Sequence, residues 1–81
     1  MHTIKILGTG CPTCKRLLDD VERLVASNNW PAQVEYVTDI AAIMAYGVMS
    51  TPALVVNEEV VAVGHPGPAK VAQLLQEKMP A

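Results

Sequence analysis

The sequence predicts one α/β domain, spanning residues 1–81, in which a mixed four-stranded sheet is covered by helices in the order β-α-β-α-β-β-α. Three observations support this fold class. Short β-rich runs alternate with helical spacing in the first half, and two apolar runs flank a short polar segment in the second. The chain is 51% hydrophobic, which suffices for one core, whereas 81 residues leave no room for a second domain.

The first half of the chain predicts a strand–helix–strand unit. Thr3–Leu7 is a β-rich run that Gly8 ends, and Gln33–Thr38 alternates polar and apolar residues, so both are predicted strands. Between them, Pro12–Ala26 is a predicted helix whose apolar residues share one face: Leu17, Leu18, Val21, Leu24 and Val25. Such a unit places its two strands parallel, joined by a right-handed crossover.

The second half predicts a short helix, a hairpin and a last helix. Thr38 or Asp39 caps the short helix, which Gly47 ends and whose apolar residues are Ile40, Ile43 and Met44. The hairpin joins residues 53–56 to residues 60–63 through residues 57–59, and its apolar strands suit burial on both faces. Pro68 starts the last helix, whose apolar face comprises Val71, Leu74, Leu75 and Met79.

Charge and hydropathy exclude several classes of function. The formal net charge is −2 and the six basic residues are scattered, which argues against binding nucleic acid. No apolar run approaches the roughly 18 residues of a membrane span, and residues 1–7 lack the pattern of a secretory signal. We therefore expect a cytoplasmic protein. In a reducing compartment, a lone cysteine pair is more often catalytic or metal-binding than structural.

Both cysteines of the chain lie in the segment GCPTCK, where the first strand gives way to the first helix. A helix starting near Pro12 puts Cys11 at its N-terminal cap, where unpaired N–H groups and the helix dipole stabilise a thiolate. Thiol pKa values in that setting fall from about 8.5 to roughly 3.5–7.5. Cys14 lies one turn further on the same side and is predicted to be more buried. The spacing therefore predicts that Cys11 attacks a disulfide and that Cys14 resolves the mixed disulfide.

Other uses of the cysteine pair stay open at this point. Zinc needs about four ligands, and the pair supplies two, to which His2 and His65 are candidate additions. A metal-binding or metallochaperone module is therefore the alternative function, and a non-catalytic adaptor is a third. A structural disulfide that closes so short a loop adds little stability.

Three segments together resemble the thioredoxin fold: GCPTCK after a short strand, VMSTPALVVN about 35 residues later, and Gly64 before the last helix. Over essentially its whole length the chain resembles the small stand-alone thioredoxin-like proteins sometimes named redox-active disulfide proteins. The resemblance implies a minimal thioredoxin fold with a cis peptide bond between Thr51 and Pro52. It also implies that the Thr51 backbone pairs with an extended substrate segment.

The resemblance implies a thiol-disulfide oxidoreductase, thioredoxin- or glutaredoxin-like, that needs neither a bound cofactor nor a metal. Its implied partners are a disulfide-containing protein substrate and a reductase or low-molecular-weight thiol as electron donor, in electron transport and cell redox homeostasis. The implied site consists of a catalytic pair, Cys11 and Cys14, and of four substrate-binding residues, Pro12, Thr13, Thr51 and Pro52. Further residues are expected to border the same surface: Gly10, Met49, Gly64 and His65.

Two departures from the better-known family patterns affect the expected chemistry. Thioredoxins carry an acidic residue in the strand before the cysteines, where this chain has Lys5, and a tryptophan where it has Gly10. Glutaredoxins carry a Gly-Gly-Asp stretch that holds glutathione near the last helix, whereas residues 64–67 here read GHPG. A glutathione site and an acid next to the resolving cysteine therefore cannot be carried over from the resemblance, and use of glutathione stays open.

Overall fold

The helices and strands of the computed structural model, which describes residues 2–79, follow the predicted order. Their bounds are β1 His2–Leu7, α1 Pro12–Asn28, β2 Ala32–Val37, α2 Ile40–Ala45, β3 Ala53–Val56, β4 Glu59–Val63 and α3 Pro68–Lys78. The predicted elements are thus confirmed to within two residues at either end. Residues 1, 80 and 81 of the predicted domain lie outside the described part, so its extent over 1–81 stays a prediction.

The four strands form one mixed sheet in the order β2-β1-β3-β4. β1 and β2 are parallel, with His2 paired to Ala32, and β3 is antiparallel to both β1 and β4. All four residues of the central strand β3 are buried. The expectation that both hairpin strands are buried on two faces is wrong for β4, because β4 is an edge strand and Val63 at its end is 56% exposed.

The core divides into two clusters, one on each face of the sheet. Because successive side chains of a strand point to opposite faces, Ile4 and Ile6 face α1 and α3 while Leu7 faces α2. The larger cluster is built from these buried residues: Ile4, Ile6, Leu17, Val21, Leu54, Val56, Val71, Leu75 and Met79. The smaller cluster contains Leu7, Ile43, Val48, Ala53 and Val55. No helix within residues 2–79 is both long enough and apolar enough to cross a membrane.

The short helix α2 buries less of its apolar surface than its composition suggests. Asp39 is its cap, as its side chain accepts a hydrogen bond from the Ala42 N–H at 3.3 Å. Ile43 packs into the smaller cluster, but Ile40 and Met44 are 63% and 67% exposed. A helix of six residues makes fewer than two turns, so only a narrow face can meet the sheet.

Candidate active site

The first turn of α1 carries the cysteine pair in the arrangement that the sequence predicts. Cys11 is the cap residue, with an extended backbone at φ −67° and ψ 160°, and Pro12 follows in the first turn. The Cys11 Sγ accepts a hydrogen bond from the Cys14 N–H at 3.1 Å. The sulfur therefore satisfies one of the N–H groups that a helix start leaves without a partner, and the same N–H stabilises negative charge on that sulfur.

The two cysteines differ in exposure as predicted. Their sulfur atoms lie at disulfide-bonding distance, and their Cα atoms are 5.1 Å apart. Cys11 is half-buried, whereas Cys14 is fully buried. An external disulfide can therefore approach Cys11 but not Cys14, and only Cys11 lies within reach of Cys14.

Gly8, directly after β1, allows Cys14 to pack this closely. A Cβ atom on Gly8 would lie 2.8 Å from Cys14 Cβ and 2.9 Å from its Sγ. It would also lie 3.1 Å from Cε1 of Tyr36 on β2. Because the interior is close-packed and carbon atoms do not approach this closely, any larger residue here forces a shift of α1 or of β1. The sequence pattern identifies Gly8 only as the end of a strand.

The loop before β3 contains the predicted Thr51–Pro52 cis peptide bond, which the structure confirms. Pro52 is buried, and its carbonyl accepts a hydrogen bond from the Gly64 N–H at 2.6 Å. The loop that follows β4 is thereby joined to the loop that precedes β3. Thr51 is half-buried and lines the same groove as Thr9, which lies two residues before Cys11.

This groove, which we call the apolar groove, has a volume of about 340 Å³. Its lining comprises Thr9, Ile40, Ile43, Met44, Val48, Met49, Ser50 and Thr51. Met49, which the resemblance expects beside the site, is fully exposed at its rim. The exposed faces of Ile40 and Met44 on α2 form part of the same lining. The exposed apolar residues of this region thus gather next to Thr51 instead of being scattered over the surface.

A second cleft beside the motif has charged and polar side chains in its lining, which comprises Thr13, Arg16, His65, Gly67 and Pro68. The His65 side chain is only 8% exposed and lies 2.7 Å from Asp20 of α1, measured from Nε2 to Oδ2. Its Nδ1 accepts a hydrogen bond from the Gly67 N–H at 3.0 Å. A neutral imidazole that accepts at Nδ1 carries its proton on Nε2, which therefore donates to Asp20. His65 thus borders the site as expected, while the sequence pattern does not point to Asp20.

The two histidines considered as metal ligands have other partners. His2 Nδ1 lies 3.0 Å from Asn57 Nδ2 on the hairpin turn, and His65 contacts Asp20. Within residues 2–79 no group of three or more His, Cys, Asp or Glu side chains is placed to hold a metal ion. Within residues 2–79 the structure therefore does not assemble His2 and His65 with the cysteine pair into a set of metal ligands.

Lys5, which occupies the position of the expected acid, forms a network on the α2 face of the sheet. Its Nζ donates to Glu58 at 2.7 Å and to the Tyr46 hydroxyl at 2.8 Å, and that hydroxyl donates to Glu58 at 2.9 Å. The pKa of Glu58 is lowered mainly by its hydrogen bond from Lys5 and, to a lesser extent, by the one from Tyr46. The pKa of Lys5 is raised mainly by its hydrogen bond to Glu58 and, to a lesser extent, by the one to Tyr46. The Lys5 ammonium group is therefore paired with the carboxylate of Glu58 in the turn between β3 and β4.

This network makes a pH-dependent contribution to stability. Because the pKa of Glu58 is lowered by folding, its contribution is present above its ordinary value near 4.5 and is lost as the pH falls through the folded value. We expect Glu58→Gln to cause a small decrease in melting temperature at pH 7, small because the pair is exposed and screened by salt. The difference from the unchanged protein should shrink in a thermal-unfolding series in which the pH falls from 7 through the lowered pKa of Glu58. Glu22→Gln, on the exposed face of α1, is the control, and an equal effect there at pH 7 would contradict the assignment.

The sheet, its helices and a cysteine pair at the start of α1 define the class of thioredoxin-fold proteins. A solved structure, that of a mutant thioredoxin from Halobacterium salinarum NRC-1, matches this fold with a TM-score of 0.77 and 24% sequence identity. The match covers 99% of this chain and 76% of that chain. The predicted fold class is therefore confirmed.

Sequence comparison identifies the family. The profile of the family described as thioredoxin domain matches residues 2–76. Among curated proteins, the thioredoxin of Methanocaldococcus jannaschii is 33% identical over 61 residues, which cover 75% of this chain and 70% of that protein. The chain therefore belongs to the thioredoxin domain family, and the resemblance noted in the sequence is confirmed. Family, fold and a cysteine pair at disulfide distance support a thiol-disulfide redox function in general.

Proposed function

We propose that the protein is a thiol-disulfide oxidoreductase in which Cys11 attacks a substrate disulfide and Cys14 resolves the product. The observation that carries this proposal is the unequal environment of two sulfur atoms within bonding distance. Cys11 is half-buried with the Cys14 N–H directed at its Sγ, whereas Cys14 is fully buried. An accessible thiolate at a helix start is the more reactive nucleophile, and a buried neighbour is protected from everything except that nucleophile.

The proposed reaction transfers two electrons to the substrate disulfide, and the two product thiols take one proton from Cys14 and one from solvent. The Cys11 thiolate attacks one substrate sulfur, so that a mixed disulfide forms, the substrate S–S bond breaks and the first substrate sulfur leaves as a thiolate. Cys14 then loses its proton and attacks Cys11 Sγ, which forms the Cys11–Cys14 disulfide and releases the second substrate sulfur. A reductase dithiol, or two low-molecular-weight thiols, restores the reduced pair by the same exchange in reverse.

The proton of Cys14 needs an acceptor other than an acid in β1. Within residues 2–79, no charged side chain is buried beside the pair, and Lys5 is engaged by Glu58 and Tyr46. We therefore assign the acceptor role to the first substrate thiolate or to water at the mouth of the site. An alkyl thiolate whose parent thiol has a pKa near 8.5 is basic enough to accept this proton.

The proposed substrate is an extended protein segment that carries an apolar side chain close to its cysteine. Thr51 would offer main-chain hydrogen bonds to such a segment, as in strand addition, with Pro52 below it. The apolar groove, which Thr51 lines together with Met44 and Met49, would accept the side chain. Thioether side chains adapt to differently shaped apolar partners, which suits a site that serves several substrates. Pro12 and Thr13, both exposed, would contact the segment on the other side of Cys11.

The proposed setting is the cytoplasm, where the protein would contribute to electron transport and redox homeostasis. A reducing compartment keeps the pair in the dithiol form that attacks disulfides. The proposed electron donor is a reductase or a low-molecular-weight thiol. Whether the protein is thioredoxin-like or glutaredoxin-like in its electron donor is decided by measuring which of these two donors restores activity.

Reduction of insulin or of dithionitrobenzoate by the protein, with dithiothreitol as the electron source, tests this function. We expect the unchanged protein to accelerate reduction and Cys11→Ser to lose the acceleration entirely, because its hydroxyl is no nucleophile toward sulfur at neutral pH. The metal content of both proteins, purified under reducing conditions, is measured in parallel. Absence of exchange with every thiol donor, together with a metal ion that Cys11→Ser loses, would establish the metal-binding alternative instead.

A further inference from the structure

Tyr36 of β2 is the residue through which the sheet contacts the loop that leads into the cysteine pair. Its ring is half-buried and packs against the larger core cluster, and its Cα pairs with that of Ile6 in β1. From there the ring extends past the end of β1. The Cε1 atom of Tyr36 lies beside Gly8. Cys14 packs against the same side of Gly8, where the Cβ atom of any other residue would lie. The ring is therefore fixed by the core at one end and lies next to the site at the other.

The hydroxyl of Tyr36 accepts a hydrogen bond from the Gly10 N–H at 2.9 Å. The last sheet bond before the motif joins the Gly8 N–H to the Val37 carbonyl at 3.0 Å, and α1 begins at Pro12. Residues 9–11 therefore span the gap between sheet and helix. Among side chains of the described residues 2–79, only that of Tyr36 hydrogen-bonds the backbone of residues 9–10.

The conformation of Gly10 determines where Cys11 lies over the start of α1. Gly10 has φ +88°, a value that other residues rarely adopt, and it is exposed with open space around its α-carbon. Glycine has no intrinsic preference that would hold this conformation. The hydrogen bond to Tyr36 supplies the missing restraint, because it fixes the peptide plane on the N-terminal side of Gly10.

This restraint differs in importance between the two redox states. In the disulfide, the bond from Cys11 to Cys14 itself keeps Cys11 on the first turn of α1. In the dithiol that covalent restraint is gone, and the Cys11 sulfur is kept at the Cys14 N–H by the contacts of the preceding loop together with the hydrogen bond from the Lys15 N–H to the Cys11 carbonyl at 3.0 Å. A group that orders this loop therefore keeps the Cys11 thiolate at the Cys14 N–H, which stabilises its negative charge, whereas the disulfide sulfur carries no charge to stabilise. Through this charge interaction the ordered loop stabilises the reduced form more than the oxidised form.

We propose that Tyr36 is a positioning residue for the dithiol: its hydroxyl holds the Gly10 amide and so keeps Cys11 at the cap of α1 when the disulfide is open. The proposal rests on the proposed function, since it concerns the attacking sulfur of that reaction. The Tyr36 hydroxyl is hydrogen-bonded to the Gly10 N–H and not to a cysteine sulfur. It acts through the loop, so its removal should change the reactivity of Cys11 without removing it.

Tyr36→Phe, compared with Tyr46→Phe, tests the proposal. Each variant removes one hydrogen-bonded hydroxyl, but the partners of the Tyr46 hydroxyl among residues 2–79 are Lys5 and Glu58, away from the cysteine loop. Because one neutral hydrogen bond has a modest net value, we expect Tyr36→Phe to slow alkylation of Cys11 by iodoacetamide at about pH 6.5 roughly threefold. The equilibrium with a glutathione redox buffer should shift about threefold toward the disulfide, which is about 14 mV lower in reduction potential at 29.6 mV per tenfold change. Tyr46→Phe should change neither quantity.

Values for Tyr36→Phe that equal those of the unchanged protein would overturn the proposal, as would equal shifts in both variants. Amide hydrogen exchange in the reduced, unchanged protein gives a measurement that needs no variant. The Gly10 N–H should exchange at least about tenfold more slowly than the Thr9 N–H, since a hydrogen-bonded amide must open before it exchanges. Equal exchange rates would refute the restraint. Insulin reduction by the unchanged protein reports separately on the proposed function, so its failure is distinguishable from failure of the role of Tyr36.

Discussion

Cys14→Ser is expected to stop turnover while leaving the first chemical step intact. Cys11 keeps its position, because the hydrogen bond to its sulfur comes from the backbone N–H of residue 14 and not from the side chain. It can still attack a substrate disulfide, but the chain has no second thiol to release the product, which then depends on attack by the external reductant. Multiple-turnover reduction should therefore fall to the slower rate at which that reductant cleaves the mixed disulfide.

The trapped product is the measurement for this prediction. Mass spectrometry of Cys14→Ser, mixed with an excess of a disulfide substrate, should show one covalent adduct per chain at Cys11. Cys11→Ser provides the matched control and should remain unmodified, because Cys14 is fully buried. Accumulation of the adduct in Cys11→Ser, and not in Cys14→Ser, would reverse the assigned roles of the two cysteines.

Gly8→Ala is expected to have the largest effect on the folded state of any small substitution near the site. The added carbon would lie 2.8 Å from Cys14 Cβ, an atom that cannot rotate away because it is bonded directly to the helix backbone. Overpacking of this kind costs about 1–3 kcal/mol in the free energy of unfolding. The substitution should also change the reduction potential of the pair, since the displaced atoms belong to Cys14.

Gly47→Ala separates these two consequences. Gly47 has φ +77° and open space where a Cβ atom would go, so alanine there is strained in its backbone but touches nothing. It should lower stability by about 1–2 kcal/mol, in line with the cost of a left-handed conformation, and leave the potential unchanged. Denaturant titration and equilibration with a redox buffer measure the two quantities. An unchanged reduction potential in Gly8→Ala would show that the added carbon displaces the loop at Gly8 and leaves Cys14 where it is.

The parts of the fold that the sequence predicts are those determined by local pattern. The spacing of Leu17 and Val21 defines the buried face of α1, and the β-rich runs of β1 and β3 are both central strands. The pattern is insufficient where the outcome depends on neighbours. Ile40 and Met44 are exposed because α2 is short, and β4 is partly exposed because it lies at the edge of the sheet.

The same distinction applies to the candidate site. The cap position of Cys11 and the burial of Cys14 follow from residues adjacent in the chain, so spacing alone predicts them. The contact of Tyr36 with Gly10 joins residues 26 positions apart, and that of His65 with Asp20 joins residues 45 positions apart. Periodicity carries no information about such pairs. In the sequence, Tyr36 is simply an apolar position in an alternating strand.

Two unlike clefts lie next to the motif, one reaching Thr9 and Thr51 and the other reaching Thr13, and they would give a bound substrate segment a preferred direction. A substrate chain laid across Cys11, as proposed, would meet methionine side chains toward Thr51 and a guanidinium with a nearly buried imidazole toward Thr13. A segment that is apolar on one side of its cysteine and polar on the other matches this surface in one orientation. In the reverse orientation its polar end would be desolvated against thioethers, at the cost that accompanies any unpaired polar group. If the proposed function holds, we expect this asymmetry to discriminate between the two directions of the same peptide, so that partners would be selected by the order of their residues as well as by their composition.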